Sequence, residues 1–350
     1  MPGTITPSSQ ANSDNDGPPA HVVGVYYLTH PRSASNLFQN MMSKQPGYQN
    51  SGYKLFDSGF HFMRALAADK GPFSAWPAEE RQQMYDDYKN AFEAMQDELE
   101  DAKKNGKKVF IKEHAYFLWS PDKIYADLYP NQDGNLDPCT VHERHVSPEE
   151  AASLPHTNPS SLPDNFLLSF QPVFQIRHPV LMFPSAIRAQ RGINIGGHCG
   201  VPDTLFGKVT LSLRRSRELY DWYLTHGPPV GIHPRIIDAD DVMRDPSAVR
   251  KLCLQTGLDP DAVQYEWEAK AQDAHPAKAR FLSTISASRG ILPGFTASEV
   301  DVEREKEKWV VEFGEVDGKG LADKVDAAMG DYEYLWERRT TGGGGEVGAP

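Results

Sequence analysis

The sequence predicts an α/β fold with a mainly parallel central sheet flanked by helices. Three observations lead there. Short apolar, β-branched and aromatic runs recur at 22–28, 109–111, 173–176 and 235–239, each the length of a buried strand. Segments between them carry apolar residues at three- and four-residue spacings, as amphipathic helices require. Strands alternating with helices favour a parallel sheet covered on both faces. Polar and charged residues follow the ends of the apolar runs, where open α/β sheets bind ligands.

The first run continues into Thr29-His30-Pro31-Arg32-Ser33-Ala34-Ser35-Asn36. The chain turns at Thr29-His30-Pro31, and from Ser33 the pattern is helical, with Leu37, Phe38, Met41 and Met42 in register. A strand, a tight polar loop and a helix N-terminus expose free backbone N–H groups and a positive dipole end. Arg32 adds a planar fork of donors suited to phosphate or sulfate. A strand–turn–helix that only builds the sheet has the same pattern.

Further along, 53–62 is aromatic and glycine-containing, a loop over the site or a short second element. Residues 77–104 spell one long charged helix, with Met84, Tyr88, Phe92, Met95 and Leu99 on one face and Asn105-Gly106 as its stop. Lys112, Glu113 and His114 close the second run. Strand alternation puts Lys112 and His114 on one face and Glu113 on the other. Tyr116, Phe117 and Trp119 follow, and with Phe56 and Phe60 they are candidates to wall an apolar pocket.

The stretch 129–165 is rich in Pro, Asn, Ser, Asp and Gly and reads as a long loop. Its His142, Glu143 and His145 lack a clear fourth metal ligand. Arg177-His178-Pro179 follows the third strand, with Ser185 eight residues after Arg177. A helix beginning at Pro179 brings the two toward one anion. A surface Arg–carboxylate pair is the plainer reading. A glycine-rich loop spans 192–207, and a helix is expected over 208–225. After the 235–239 strand, Asp245-Pro246-Ser247 starts a helix that Gly257 ends. Helices are expected over 265–282, 303–313 and 321–339, with a small, basic, flexible segment at 286–290. The expected organisation is one domain over 21–339, with disordered tails at 1–20 and 340–350.

Composition narrows the function. The chain has 350 residues and a formal net charge of −12, which disfavours a general nucleic-acid binder. No apolar run is long enough to span a bilayer, and the N-terminus lacks a signal-peptide core. Three dispersed cysteines, Cys139, Cys199 and Cys253, suggest neither a disulfide framework nor a zinc site and fit a reducing cytoplasm. The nucleotide signature G-x-x-x-x-G-K-[ST] is absent from the sequence, so a metal–triphosphate site is poorly supported.

Four stretches, in this order, resemble the sulfotransferase family, which uses 3′-phosphoadenosine 5′-phosphosulfate (PAPS). His30-Pro31-Arg32-Ser33-Ala34-Ser35-Asn36-Leu37 is similar to the family's 5′-phosphosulfate loop, commonly P-[KR]-S-G-[TS]-[TS]. Lys112-Glu113-His114 resembles the K-x-H at the end of a following strand. Arg177 with Ser185 resembles the Arg and Ser that hold the 3′-phosphate. Residues 235–257 resemble the later strand, acidic turn, Asp-Pro and helix. The likeness covers about 22–258.

The resemblance implies a sulfotransferase-like P-loop fold and sulfuryl transfer from PAPS to a hydroxyl of a small-molecule acceptor. The product would be 3′-phosphoadenosine 5′-phosphate, with no metal, nucleic acid or membrane partner expected. A homo-oligomer is left open. By the same resemblance, Arg32 and the backbone of Ser33, Ala34, Ser35 and Asn36 hold the 5′ end. Lys112 binds the sulfuryl group, and His114 is the general base. Arg177 and Ser185 hold the 3′-phosphate, with Arg289 and Gly290 suggested as a further contact. Ala34 stands where the family has Gly, Asn36 where it has a hydroxyl residue, and the family's R-K-G motif is not present as such. These departures keep two further readings. In one, His114 and Glu113 act as acid and base in cyclisation, dehydration or lyase chemistry. In the other, the protein binds an anionic nucleotide without catalysis.

Overall fold

A computed structural model describes residues 17–191, 200–271 and 276–343. Most of the N-terminal tail, residues 272–275 and 344–350, and His198 and Cys199 with half of the glycine-rich loop lie outside these.

Five strands form one parallel sheet in the order β2-β3-β1-β4-β5. They are β1 (Gly24–Thr29), β2 (Tyr48–Ser51), β3 (Lys108–His114), β4 (Phe170–Ile176) and β5 (Arg235–Asp238). The parallel α/β expectation is met. Gly24 is required at the start of β1, where a Cβ would lie 2.1 Å from the Val109 carbonyl oxygen. Strand alternation divides the core. Tyr26, Leu28, Val109 and Ile111 point into one apolar layer, and Val25, Tyr27, Phe110 and Val173 into the other.

Helix α1 (Ser35–Met41) follows β1, and α2 (Phe56–Ala67) and α3 (Ala78–Lys104) lie between β2 and β3. Asn105 and Gly106 end α3 as expected, with Gly106 at φ 65. After β3 come α4 (Ala115–Leu118), α5 (Pro121–Leu128), α6 (Pro148–Ala151) and α7 (Asp164–Leu167). The long connection 129–165 is tied down by buried hydrogen bonds. Asp133 accepts from the Phe73 and Ser74 amides, and Asp164 from those of Thr157 and Asn158. Glu143 accepts from Asn165. No group of three His, Cys, Asp or Glu side chains among the described residues is arranged to hold a metal.

Beyond β4 lies α8 (Pro179–Arg191). The helix expected over 208–225 is two: α9 (Leu205–Thr210) and α10 (Arg214–His226). Leu211 and Leu213 are both buried. On one straight helix they would point about 200° apart, and the break lets both face the core. After β5 come α11 (Ala239–Arg244) and α12 (Pro246–Thr256). Asp245 caps α12 through the Ser247 and Ala248 amides, and Gly257 ends it at φ 75.

The expected 265–282 helix is also corrected. Among the described residues there, only those of α13 (Pro276–Ala287) are helical. The Trp267 and Lys270 amides instead donate to the Arg289 and Ser286 carbonyls. Two helices, α14 (Val302–Phe313) and α15 (Glu315–Trp336), close the chain. Thr340 then donates its amide to Ile236 of β5. No helix among the described residues is long and apolar enough to cross a membrane.

Candidate active site

The chain leaves β1 toward β2 and β3 on one side, and leaves β4 toward β5 on the other. Strand order therefore reverses between β1 and β4, and the carboxyl ends open a crevice there. The 30–36 loop fills that position. It holds two residues in the left-handed region, Arg32 at φ 67 and Ala34 at φ 62. Such turns direct successive amides to one side, a shape that cradles anions. Ala34 flanks α1 without a side-chain cap, and its Cβ makes this conformation costlier than it is for glycine. A buried chain braces the loop: Tyr27 donates to Gln175, and Gln175 to the Ser33 carbonyl. The Ser33 amide and hydroxyl both donate to the His30 carbonyl.

At the β1–β4 end, the fold brings Arg32, Arg177 and Ser185 together. Arg32 Nε donates to Ser185 Oγ at 3.0 Å, and its Nη1 to the Phe281 carbonyl of α13 at 2.7 Å. Arg177 Nη1 donates to the Arg32 carbonyl at 2.8 Å, and Nη2 to the Phe295 carbonyl at 2.9 Å. Arg177 Nε is buried without a partner. No carboxylate forms an ion pair with either guanidinium among the described residues, so the surface-pair reading of Arg177 does not apply. Burial lowers the pKa of both arginines. Arg177 is brought to about 10, where the nearby Asp240 raises it, Arg32 lowers it further and Asp238 raises it.

The β1–β3 end is organised by register. Thr29 pairs with His114, and Tyr27 with Lys112. His114 Nδ1 lies 2.8 Å from Thr29 Oγ1, and its Nε2 lies 3.1 Å from the Tyr53 hydroxyl. Burial, then the charge of Lys112 and His30, holds the imidazole well below its usual pKa. The imidazole is therefore neutral at physiological pH. Lys112 Nζ donates to Asn36 Oδ1 at 2.5 Å and stands 4.6 Å from the centre of the Tyr53 ring. Burial brings the Lys112 ammonium down to about 7, with Glu113 opposing.

Glu113 points to the opposite face, as strand alternation dictates. Its Oε1 accepts from the Lys54 and Leu55 amides at the start of α2. Burial pushes its pKa up to about 8, against those amides and against Lys112 and Lys54. The carboxyl thus anchors the Tyr53–Phe56 turn and does not join His114. Phe56 stacks on Phe60 at 5.6 Å and meets Phe117 edge-on at 5.8 Å. Tyr116 stacks on His114 at 6.0 Å. Trp119 does not join this wall, because it lies beneath the Arg215 guanidinium.

Among the described residues, Arg289 and Gly290 make no hydrogen bond to Arg32, Arg177 or Ser185. The Arg289 side chain is exposed and its carbonyl accepts from Trp267, while Gly290 bridges Glu266. Sequence reasoning missed Tyr53, Thr29 and the Phe281 and Phe295 carbonyls. Thr29 carries a usable signal, since the last residue of a strand in register with a His-bearing strand end must adjoin it. Tyr53 opens the aromatic 53–62 stretch, which the sequence offers as a loop over the site without marking this residue, and the two carbonyls come from distant segments and carry none.

No family model and no solved structure matches the chain. Two curated relatives align with nearly all of it. Sulfotransferase ppzF of Metarhizium majus (strain ARSEF 297) is 31% identical over 350 residues, covering 93% of this chain and 98% of that protein. Sulfotransferase ppzF of Metarhizium rileyi (strain RCEF 4871) is 32% identical over 338 residues, covering 90% of this chain and 96% of that protein. With likeness of this extent, and a parallel α/β sheet beneath it, the chain belongs to the sulfotransferase family.

Proposed function

We propose that the protein transfers a sulfuryl group from PAPS to a hydroxyl of a small aromatic or apolar acceptor. One observation carries this reading. The buried Arg177 guanidinium and the half-buried Arg32 adjoin each other, and among the described residues neither has a carboxylate within salt-bridge distance, in a chain of net charge −12. Neighbouring buried cations repel and call for a shared anion.

The residues fit such a nucleotide. The donor set of guanidinium, ammonium, hydroxyl and backbone amide groups suits phosphate and sulfate oxygens. Arg177 and Ser185 would hold the 3′-phosphate. Arg32 and the 34–36 amides would hold the 5′ end, the Ser33 amide being engaged by the His30 carbonyl, and Lys112 the sulfuryl oxygens. PAPS supplies the sulfuryl group. Lys112 and Arg32 place positive charge where negative charge builds. His114 removes the acceptor's proton, a role worth about 10²–10⁴-fold. Phe56, Phe60, Tyr116 and Phe117 form an apolar wall beside the base.

A second reading is acid–base chemistry without sulfuryl transfer. It is favoured by the Lys112–Asn36 contact, which occupies the ammonium within the pocket. Incubation with PAPS and a panel of phenols and alcohols separates the two. A sulfate ester formed together with 3′-phosphoadenosine 5′-phosphate is expected. Acceptor turnover that needs no PAPS, with no ester formed, would support the second reading and refute the first.

A further inference from the structure

We propose that Tyr53 is a catalytic residue that relays the acceptor's proton to His114; this deepens, and rests on, the sulfotransferase reading. The argument begins with hydrogen placement. Thr29 Oγ1 lies 3.0 Å from the Glu113 carbonyl. A carbonyl only accepts, whereas a ring nitrogen can also donate, so both contacts of Thr29 are satisfied when its single hydroxyl hydrogen goes to Glu113. Toward His114 Nδ1, at 2.8 Å, the Thr29 oxygen must then accept. The Nδ1 atom therefore carries the ring hydrogen, and Nε2 holds the basic lone pair. That lone pair is already engaged, because the Tyr53 hydroxyl donates to it at 3.1 Å. An acceptor hydroxyl can reach Nε2 only by displacing Tyr53, whereas the Tyr53 oxygen, which also meets the Ser35 side chain, has a second lone pair to receive it.

The position of Tyr53 favours the relay. Its backbone turn is held by the Lys54 and Leu55 amides on Glu113. Its ring packs against His114 at 4.7 Å and Phe56 at 5.8 Å, between the base and the aromatic wall. Lys112 stands over the ring and stabilises negative charge that develops on the phenol oxygen. Burial and Glu113 keep the hydroxyl protonated at rest, and Ser35 and Arg32 of the anion loop oppose them. Tyr53 thus lies within the field of both ends of the crevice.

The step balances. The acceptor oxygen forms a bond to sulfur as the bond between sulfur and the bridging oxygen of PAPS breaks. The leaving 5′-phosphate takes that bond's electron pair. The acceptor's proton passes to the Tyr53 oxygen, and the Tyr53 proton passes to His114 Nε2. Tyrosine ends neutral and His114 ends as the imidazolium.

The test compares Tyr53→Phe with the wild-type protein on two phenols, using PAPS and following ester formation. One is an alkylphenol, protonated at the assay pH; the other is a nitrophenol acidic enough to arrive ionised. A relay matters only where there is a proton to move. The variant should lose about 10²-fold in kcat on the alkylphenol and less than about 3-fold on the nitrophenol. Adding His114→Ala should cost little more than His114→Ala alone, since both residues serve one proton path. Equal losses on both phenols would show a structural role and overturn the proposal. Unchanged or faster turnover would show that Tyr53 only blocks His114, and would also overturn it. No ester from wild-type protein on either phenol would overturn the sulfotransferase reading as well.

Discussion

The two ends of the crevice are built differently. At the β1–β3 end, Thr29, His114, Tyr53, Lys112 and Asn36 satisfy one another within the site. At the β1–β4 end, Arg32 and Arg177 lean on the Phe281 and Phe295 carbonyls, which arrive from a remote part of the chain, and one guanidinium nitrogen has no partner. The first end is preorganised, as proton transfer requires. The second holds its cations with neutral, exchangeable acceptors. A phosphate oxygen offers each guanidinium a stronger, charge-assisted bond than a carbonyl does.

The contrast breaks most visibly at His114. Replacing it with Ala should lower kcat by about 10²–10⁴-fold while leaving the KM for PAPS within about 3-fold. Steady-state kinetics with both substrates varied would show this. A large rise in that KM would place His114 in binding and blur the division.

Arg177→Ala should do the reverse. Loss of a charge-assisted contact of about 1.5–3 kcal/mol weakens 3′-phosphoadenosine 5′-phosphate binding by about 10–100-fold. The thermal shift given by the nucleotide should shrink accordingly. An undiminished shift would mean that the nucleotide does not use this end.

Lys112 links the two ends and gives a pH dependence. Its pKa is held near 7 in the free protein by burial, and a bound anion raises it. Binding then takes up protons once the pH exceeds about 7. Affinity should be steady below that value and fall by up to about tenfold per pH unit above it. Calorimetry in two buffers of different ionisation enthalpy measures the uptake. Binding that strengthens as the pH rises would refute it.

The smallest effect concerns the loop itself. Ala34 sits at φ 62. Ala34→Gly removes strain of about 1–2 kcal/mol but adds chain entropy of about 0.4–1 kcal/mol to the unfolded state. Denaturant unfolding should show a gain between about 0 and 1.6 kcal/mol. A clear loss would mean that the loop relaxes out of the left-handed region.

The same contrast explains what could be read from the sequence. Arg32, Lys112, His114 and Arg177 all lie just at or beyond the ends of apolar strands, and a parallel sheet gathers such ends on one edge. Ser185 was legible because the helix after Pro179 carries it back over that edge. The polar strand β2 has no apolar run to announce it. Phe281 and Phe295 reach the crevice only through tertiary docking, for which no local pattern exists, and the aromatic 53–62 stretch announces a loop over the site without singling out Tyr53. Glu113 shows the limit of motif reading. It lies between Lys112 and His114 in sequence, yet strand alternation turns it to the other face, where it anchors the turn that holds Tyr53.

The most direct measurement of the division is calorimetric titration of 3′-phosphoadenosine 5′-phosphate into wild-type, His114→Ala and Arg177→Ala proteins at one pH. The account predicts near-equal affinity for the first two and a loss of about 10–100-fold for the third. Equal binding by all three proteins, or no binding by wild type, would contradict it.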